Sequence, residues 1–88
     1  MTGPVVIYSV NAGAYLVAYD PDRHDGRGGV DFGPLDRALR FDDAAAALVC
    51  YQQQSTVRPF RIDGKPNRPL TAHTVEIRTV EAAAQVAP

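Results

Sequence analysis

The chain has 88 residues, 45% of them hydrophobic, and a formal net charge of −1. This length allows one domain with a thin core, which excludes a deep enclosed substrate cavity, and the charge argues against a protein built chiefly to hold nucleic acid. The single cysteine excludes an internal disulfide framework. Because we find neither a leader-like start nor an apolar run of membrane-spanning length, we expect a soluble cytoplasmic protein without membrane contact.

The first two elements form a predicted β-hairpin. Residues 5–10 are rich in β-branched side chains and apolar on both faces, which is typical of a central strand. A short connection through Gly13 leads to a second strand at residues 14–19, in which Tyr15 and Tyr19 share a face by alternation. A strand that is apolar on both faces can also lie at an interface, so the assembly is predicted to be either a monomer or a homodimer.

Residues 20–33 form the longest loop-like stretch, and their glycines and prolines predict that no regular element persists there. A loop of this length in a small domain is typical of a functional or mobile segment. A calcium loop of the EF-hand type would need an oxygen ligand where His24 stands and a glycine where Asp25 stands, so we predict no metal site. The acidic residues that could contact a partner are Asp20, Asp22, Asp25 and Asp31.

A helix is predicted from about residue 44 to residue 54, since this run is dense in good helix formers. Asp42 or Asp43 fits the N-cap position, where a carboxylate accepts hydrogen bonds from free amide groups. Leu48 belongs to the predicted apolar stripe, and the alanines allow close approach to a sheet. Cys50 lies in the middle of this helix and is expected to be a packed thiol.

Two further strands are predicted after the helix. Residues 57–62 have strand character with Phe60 and Ile62 pointing inward, although Pro59 restricts them to an edge or irregular strand. Residues 73–80 alternate between apolar and polar side chains, with Val75 and Ile77 pointing inward, which is typical of a half-buried strand.

The predicted fold is therefore α+β: an antiparallel sheet of about four strands, in the order β-β-α-β-β, with one helix packed on one face. Residues 1–81 are expected to form a single domain. Residues 82–88 are rich in alanine and end in proline, so they are expected to be a frayed C-terminal tail.

The most basic stretch of the chain follows the helix, and such a stretch can bind phosphates or an acidic protein surface. Its members are Arg58, Arg61, Lys65 and Arg68. The only evident nucleophile and base candidates are Cys50, His24 and His73, and no sequence motif places them together. We therefore predict no catalytic residue, no enzymatic activity and no cofactor.

Residues 35–46, which follow the hairpin, resemble part of small proteins encoded by bacteriophages and prophages, and the resemblance covers most of the chain. In those proteins an Ala-x-x-Phe step leads into a capped, alanine-containing helix, and a closing strand ends near Val-Glu-Ile. The residues that carry the resemblance are Ala38, Phe41, Asp42, Ala45, Val75, Glu76 and Ile77. Many such proteins bind and inhibit a host protein, including CRISPR–Cas and other defence machinery. The resemblance thus implies a non-catalytic inhibitor that covers the surface of a host protein or complex in the bacterial cytoplasm.

Two surfaces besides the 20–33 stretch could supply the contacts: the exposed face of the sheet and the basic stretch at residues 58–68. The alternative function is a small nucleic-acid-binding accessory protein that uses the same basic residues. A nucleic-acid partner is less expected than a protein partner because the acidic residues outnumber the basic ones over the whole chain.

Overall fold

Four strands form one antiparallel sheet in the computed structural model, which describes residues 3–85. They are β1 (Val5–Ser9), β2 (Ala14–Asp20), β3 (Gly29–Gly33) and β4 (Val75–Thr79), in the spatial order β3-β2-β1-β4. The helical segments are α1 (Arg23–Gly26), α2 (Ala44–Tyr51) and α3 (Val80–Gln85), with 3-10 turns at Leu35–Arg37 and Pro69–Ala72. The predicted α+β class, with a four-stranded antiparallel sheet and a helix on one face, is confirmed.

Strand β1 lies between β2 and β4, as its two apolar faces predict. Its residues pair in register with β4, for example Ile7 with Ile77. Val5, Val6 and Ile7 are all buried within the chain. One copy of the protein thus buries these three residues, and the choice between a monomer and a homodimer stays a prediction.

The main core lies between α2 and one face of the sheet. Its buried members are Val5, Ile7, Leu16, Ala47 and Leu70. Phe41 packs against them and exchanges two backbone hydrogen bonds with Val5, at 2.8 and 2.9 Å. Val75 also packs against this core, whereas Ile77, predicted to point inward like Val75, is partly exposed on the edge strand β4.

Helix α2 begins where the sequence predicts and ends earlier. Asp43 is the N-cap, and its carboxylate accepts a hydrogen bond from the backbone N–H of Ala46 at 2.8 Å. The helix ends at Tyr51 rather than near residue 54. Ala47 is fully buried, but Leu48, predicted for the apolar stripe, is exposed. The small alanine side chain is what allows α2 to lie close to the sheet.

Strand β2 contains a β-bulge that changes which side chains face the core. Leu16 pairs with Phe32, but the next registered pair joins Ala18 to Asp31, so β2 carries one extra residue there. Tyr19 therefore turns to the core side and packs against the main cluster. Regular alternation, which the sequence analysis assumed, places this tyrosine on the opposite face.

The third strand lies before α2, in the stretch predicted to be a loop. Residues 29–33 pair with β2 as the edge strand β3, and α1 precedes them. The prediction that residues 20–33 hold no regular element is therefore wrong. Glycine disfavours a strand in isolation, but backbone pairing with β2 and packing of Val30 and Phe32 on the core outweigh that preference here.

Residues 57–62, predicted to be a strand, form none. Phe60 makes one isolated bridge with Pro66, and no ladder continues on either side within the described residues. Pro59 and Pro66 lack the N–H groups that a ladder requires, which explains why the pairing stops. Phe60 and Ile62 are exposed instead of pointing inward.

Helix α3 follows β4 without an intervening loop. The predicted tail at residues 82–88 thus begins within a helix, and Ala83 is buried. Residues 86–88 lie outside the part of the chain that the structure describes, and fraying of the tail stays a prediction. Along residues 3–85, no helix combines the length and apolarity needed to cross a lipid bilayer.

Candidate functional site

The segment between α2 and the Pro69–Ala72 turn, here called the 55–68 loop, is folded back on itself. Its two halves are joined by backbone hydrogen bonds from Ser55 to Asn67 (2.9 Å), from Asn67 to Pro59 (2.9 Å) and from Arg61 to Lys65 (2.8 Å). Gly64 closes the tip with φ of 86°, a conformation that favours glycine. The loop therefore has a defined shape although it contains no strand or helix.

Asp22 holds the start of the 55–68 loop. One carboxylate oxygen, Oδ1, accepts hydrogen bonds from Ser55 Oγ (2.9 Å) and from the backbone N–H groups of Thr56 (2.6 Å) and Val57 (3.2 Å). The other oxygen accepts from Thr56 Oγ1 at 2.6 Å. These bonds, those from Thr56 foremost, stabilise the ionised carboxylate and lower the pKa of Asp22 to about 2. Asp22 thus accepts four hydrogen bonds from the start of the loop, much as an N-cap carboxylate accepts hydrogen bonds from the first turn of a helix.

Tyr19 connects the chain on both sides of the loop. Its hydroxyl donates a hydrogen bond to the carbonyl of Gln53 at 3.1 Å and accepts one from the backbone N–H of Leu70 at 3.2 Å. Burial raises the pKa of this hydroxyl, so it stays protonated and able to donate at neutral pH. The bulge in β2 is what brings Tyr19 to this position.

The turn α1 forms the opposite wall and has an unusual backbone. His24 and Asp25 have φ angles of 57° and 59°, in the left-handed region that non-glycine residues seldom adopt. Gly26 follows at φ of 86°, and a side chain there would lie 2.5 Å from the Cβ of Arg58. Asn67 Nδ2 donates hydrogen bonds to the carbonyls of Gly26 (2.6 Å) and Arg58 (2.9 Å). The turn and the loop are thus packed directly against each other.

An open cleft of about 550 Å³ lies between the turn and the loop. Its lining residues are Gly26, Arg27, Arg58, Phe60, Arg61, Ile62, Asp63 and Asn67. Phe60 is 60% exposed and Ile62 is fully exposed. A second hollow of about 390 Å³ shares Arg61 and Asn67 with the cleft and extends to Arg68. The two adjoining hollows are here called the trough; Phe60 and Ile62 line the larger one, and arginines line both.

Two of the arginines in the cleft have ion-pair partners. Arg58 Nη2 lies 2.7 Å from Asp25 Oδ2, and Arg58 Nε also donates to the Asp25 carbonyl at 3.1 Å. Arg61 lies 3.0 Å from the carboxylate of Asp63. Within residues 3–85 no carboxylate forms an ion pair with Arg27. The cleft therefore keeps a surplus of positive charge.

The structure brings together several residues that the sequence analysis assigned to separate surfaces. Asp22 and Asp25 contact the 55–68 loop, and Arg58, Arg61 and Arg68 lie along the trough. Lys65 stands exposed at the tip of the loop. Asp20 accepts a hydrogen bond from the N–H of Asp22 (3.0 Å), and Asp31 is exposed on the edge strand. Asp22 and Asp25 thus shape the site, while Asp31 belongs to β3, where it pairs in register with Ala18.

Arg27 lines the cleft without any signal in the sequence, and Phe60 and Ile62 line it although their pattern predicts an inward position. The alternation of apolar and basic residues from 58 to 62 is the same in a half-buried strand and in an exposed loop, so the pattern alone does not separate them. The available signal was the density of proline, at positions 59, 66 and 69, which disfavours a paired strand.

The exposed face of the sheet has its own polar and aromatic cluster. Tyr8 and Tyr15 pack edge to face with ring centres 5.1 Å apart, and the Arg78 guanidinium lies 3.8 Å from the centre of the Tyr8 ring. Glu76 lies 2.7 Å from Arg78, and its hydrogen bonds raise the pKa of that arginine. The ring and the charges of this face thus contact one another.

The catalytic candidates lie in ordinary environments. Cys50 is half-buried in α2, and burial raises the pKa of its thiol, which disfavours the reactive thiolate. The His73 ring packs edge on against Phe32, with centres 5.2 Å apart, and His24 is exposed in α1. Within residues 3–85, no group of three acidic, histidine or cysteine side chains is arranged to hold a metal ion.

Comparisons with protein-family models, curated proteins and solved structures give no significant match.

Proposed function

We propose that the protein is a binding module without catalytic activity, and that it acts by covering a surface of a partner protein with the trough and the 55–68 loop. The exposed Phe60 and Ile62, surrounded by arginines, carry this proposal. Aromatic residues and arginine are enriched where protein interfaces gain most of their binding energy. A folded loop that leaves two large apolar side chains in water gains stability if a partner buries them.

The partner in this proposal is a host protein or complex in the bacterial cytoplasm. The resemblance to small phage and prophage proteins supports an inhibitor of a host defence system, such as CRISPR–Cas. Such an inhibitor needs no catalytic group, because occupying the surface that the defence complex uses for its target is sufficient. The small size of the chain is compatible with this mechanism, since a standard interface buries about 800 Å² per partner and the described chain exposes 5654 Å².

A phage-plating assay tests this function. Bacteria with an active CRISPR–Cas system would express the wild type or a Phe60→Ser/Ile62→Ser variant and be challenged with a targeted phage. We expect the wild type to restore plaque formation and the double variant to lose most of this effect. Leu48→Ser/Val49→Ser is the matched control, because it also replaces two exposed apolar residues, but on α2. Restored plaques with the Phe60→Ser/Ile62→Ser variant would contradict the proposed surface, and so would an equal loss with the control.

A second candidate function is binding of nucleic acid by Arg58, Arg61, Lys65 and Arg68. The observation that favours it is that Arg58, Arg61 and Arg68 line the two adjoining hollows of the trough. Binding of labelled single-stranded and duplex DNA at increasing salt tests it, since phosphate contacts predict a steep loss of affinity with salt. The absence of binding at low salt would reject this function.

A further inference from the structure

The ion pairs in the cleft can be exchanged for contacts with a ligand. The side chains of Arg58 and Asp25 are 59% and 79% exposed, and those of Arg61 and Asp63 are 59% and 44% exposed. Ion pairs at such exposure contribute little to stability. A carboxylate from a partner can therefore replace Asp25 or Asp63 at small cost, while Arg27 can accept one without losing an ion pair within the described chain.

The apolar part of the cleft lies between these charges. Phe60 stands between Arg58 and Arg61 in the chain, and Ile62 follows Arg61, so two basic and two large apolar side chains lie within five residues. Both apolar residues line the same cleft as the three arginines. A ligand that satisfies all of them needs an apolar side chain with negative charges on either side.

The shape of the trough favours an extended ligand. The cleft and the adjoining hollow, of about 550 and 390 Å³, share Arg61 and Asn67 and are both open to solvent. Compact small molecules bind in more enclosed sites that bury most of their surface. Two adjoining, open hollows suit a segment of polypeptide that lies across both.

We infer that the trough binds an acidic segment of the partner protein, in which an aliphatic or aromatic side chain contacts Phe60 and Ile62 and flanking carboxylates pair with Arg27, Arg58 and Arg61. This inference rests on the proposed function and specifies the chemistry of its partner. A protein segment fits better than nucleic acid, because Asp25 and Asp63 interrupt the positive charge and Phe60 and Ile62 offer apolar contacts. A phosphate backbone instead requires an uninterrupted basic surface.

Selection from a random library of ten-residue peptides tests the inference with the folded full-length chain. We expect the enriched peptides to combine acidic residues with an aliphatic or aromatic one. A synthesised, fluorescent representative should lose on the order of tenfold in affinity with Phe60→Ala, as expected for an interface anchor. It should lose several-fold with Arg27→Gln/Arg61→Gln, and its affinity should not change with Val49→Ser, which replaces an exposed residue of α2.

A charge reversal separates loss of contact from loss of folding. Arg27→Glu/Arg61→Glu should reject the acidic peptide and bind a version in which lysine replaces each acidic residue, and an unfolded variant could not gain this second activity. Selection of apolar peptides without acidic residues, still dependent on Phe60, would overturn the inference but leave the proposed function standing. Selection of no peptide, or of peptides insensitive to these substitutions, would overturn the inference, and the plating assay would then decide the function separately.

Displacement of the peptide by a single-stranded oligonucleotide at low salt would assign the trough to nucleic acid instead.

Discussion

Removing the Tyr19 hydroxyl tests whether this side chain fixes the 55–68 loop. The Tyr19→Phe substitution keeps the ring in the core and deletes two hydrogen bonds, one to the Gln53 carbonyl and one from the Leu70 N–H. A hydrogen bond contributes about 0.5–1.5 kcal/mol to the free energy of unfolding. We take the lower part of this range for the exposed bond to Gln53, so the expected loss is about 1–2 kcal/mol. For a domain of this size each kcal/mol lowers Tm by about 4–8 °C.

Urea denaturation followed by circular dichroism measures the loss, and Tyr15→Phe is the matched control. Tyr15 lies on the same strand, and its hydroxyl makes one long contact with Arg78, at 3.4 Å, so its removal should change the free energy of unfolding by less than about 0.5 kcal/mol. Amide hydrogen exchange adds a local readout, because the Leu70 N–H loses its acceptor in Tyr19→Phe and should exchange faster. Equal stability of the two variants, with unchanged exchange at Leu70, would refute the role assigned to Tyr19.

Three further predictions concern stability. Asp22→Asn should be less stable than the wild type near neutral pH. The difference in the free energy of unfolding should shrink as pH falls from about 4 to below 2, because the folded pKa of Asp22, about 2, lies below its ordinary value of 3.8. A difference that does not change with pH would show that the ionised carboxylate is not the cause. Asp43→Ala should cost about 1 kcal/mol through the lost cap, and Asp42→Ala, its control, should cost much less. His24→Gly should stabilise the fold by about 0.5–1 kcal/mol, because glycine adopts the left-handed backbone without strain. Arg27→Gly is its control and should destabilise the fold, because φ is −75° there. Denaturation midpoints test the Asp43 and His24 variants against their controls.

The elements that the sequence predicts correctly have local signals. The β-branched run of β1 and the alternation in β4 each indicate a strand from a stretch of only five or six residues. The carboxylate of Asp43 marks the start of α2. The central position of β1 in the sheet follows from its two apolar faces, because a strand buries both faces only where other elements cover the sheet on each side. Each of these signals depends on neighbours in the chain and needs no knowledge of distant contacts.

The elements that the sequence predicts wrongly depend on distant contacts. β3 is glycine-rich and becomes a strand through pairing with β2, and the bulge that turns Tyr19 inward is a property of that pairing. The contact between Asp25 and Arg58 joins residues 33 positions apart. Opposite charges in the two segments are visible in the sequence, but nothing local indicates that they meet. The sequence therefore predicts two separate candidate surfaces, the 20–33 stretch and the basic stretch at residues 58–68, and the fold places them side by side.

The attachment of the 55–68 loop to Tyr19 and Asp22 has a consequence for the rates of binding. In the proposed complex, the loop is already ordered before the partner binds, so association need not wait for the loop to fold and lose its conformational entropy. Substitutions at Phe60 or Ile62 should then act mainly on the dissociation rate. Tyr19→Phe should instead slow association, because only the fraction of molecules with an ordered loop can bind.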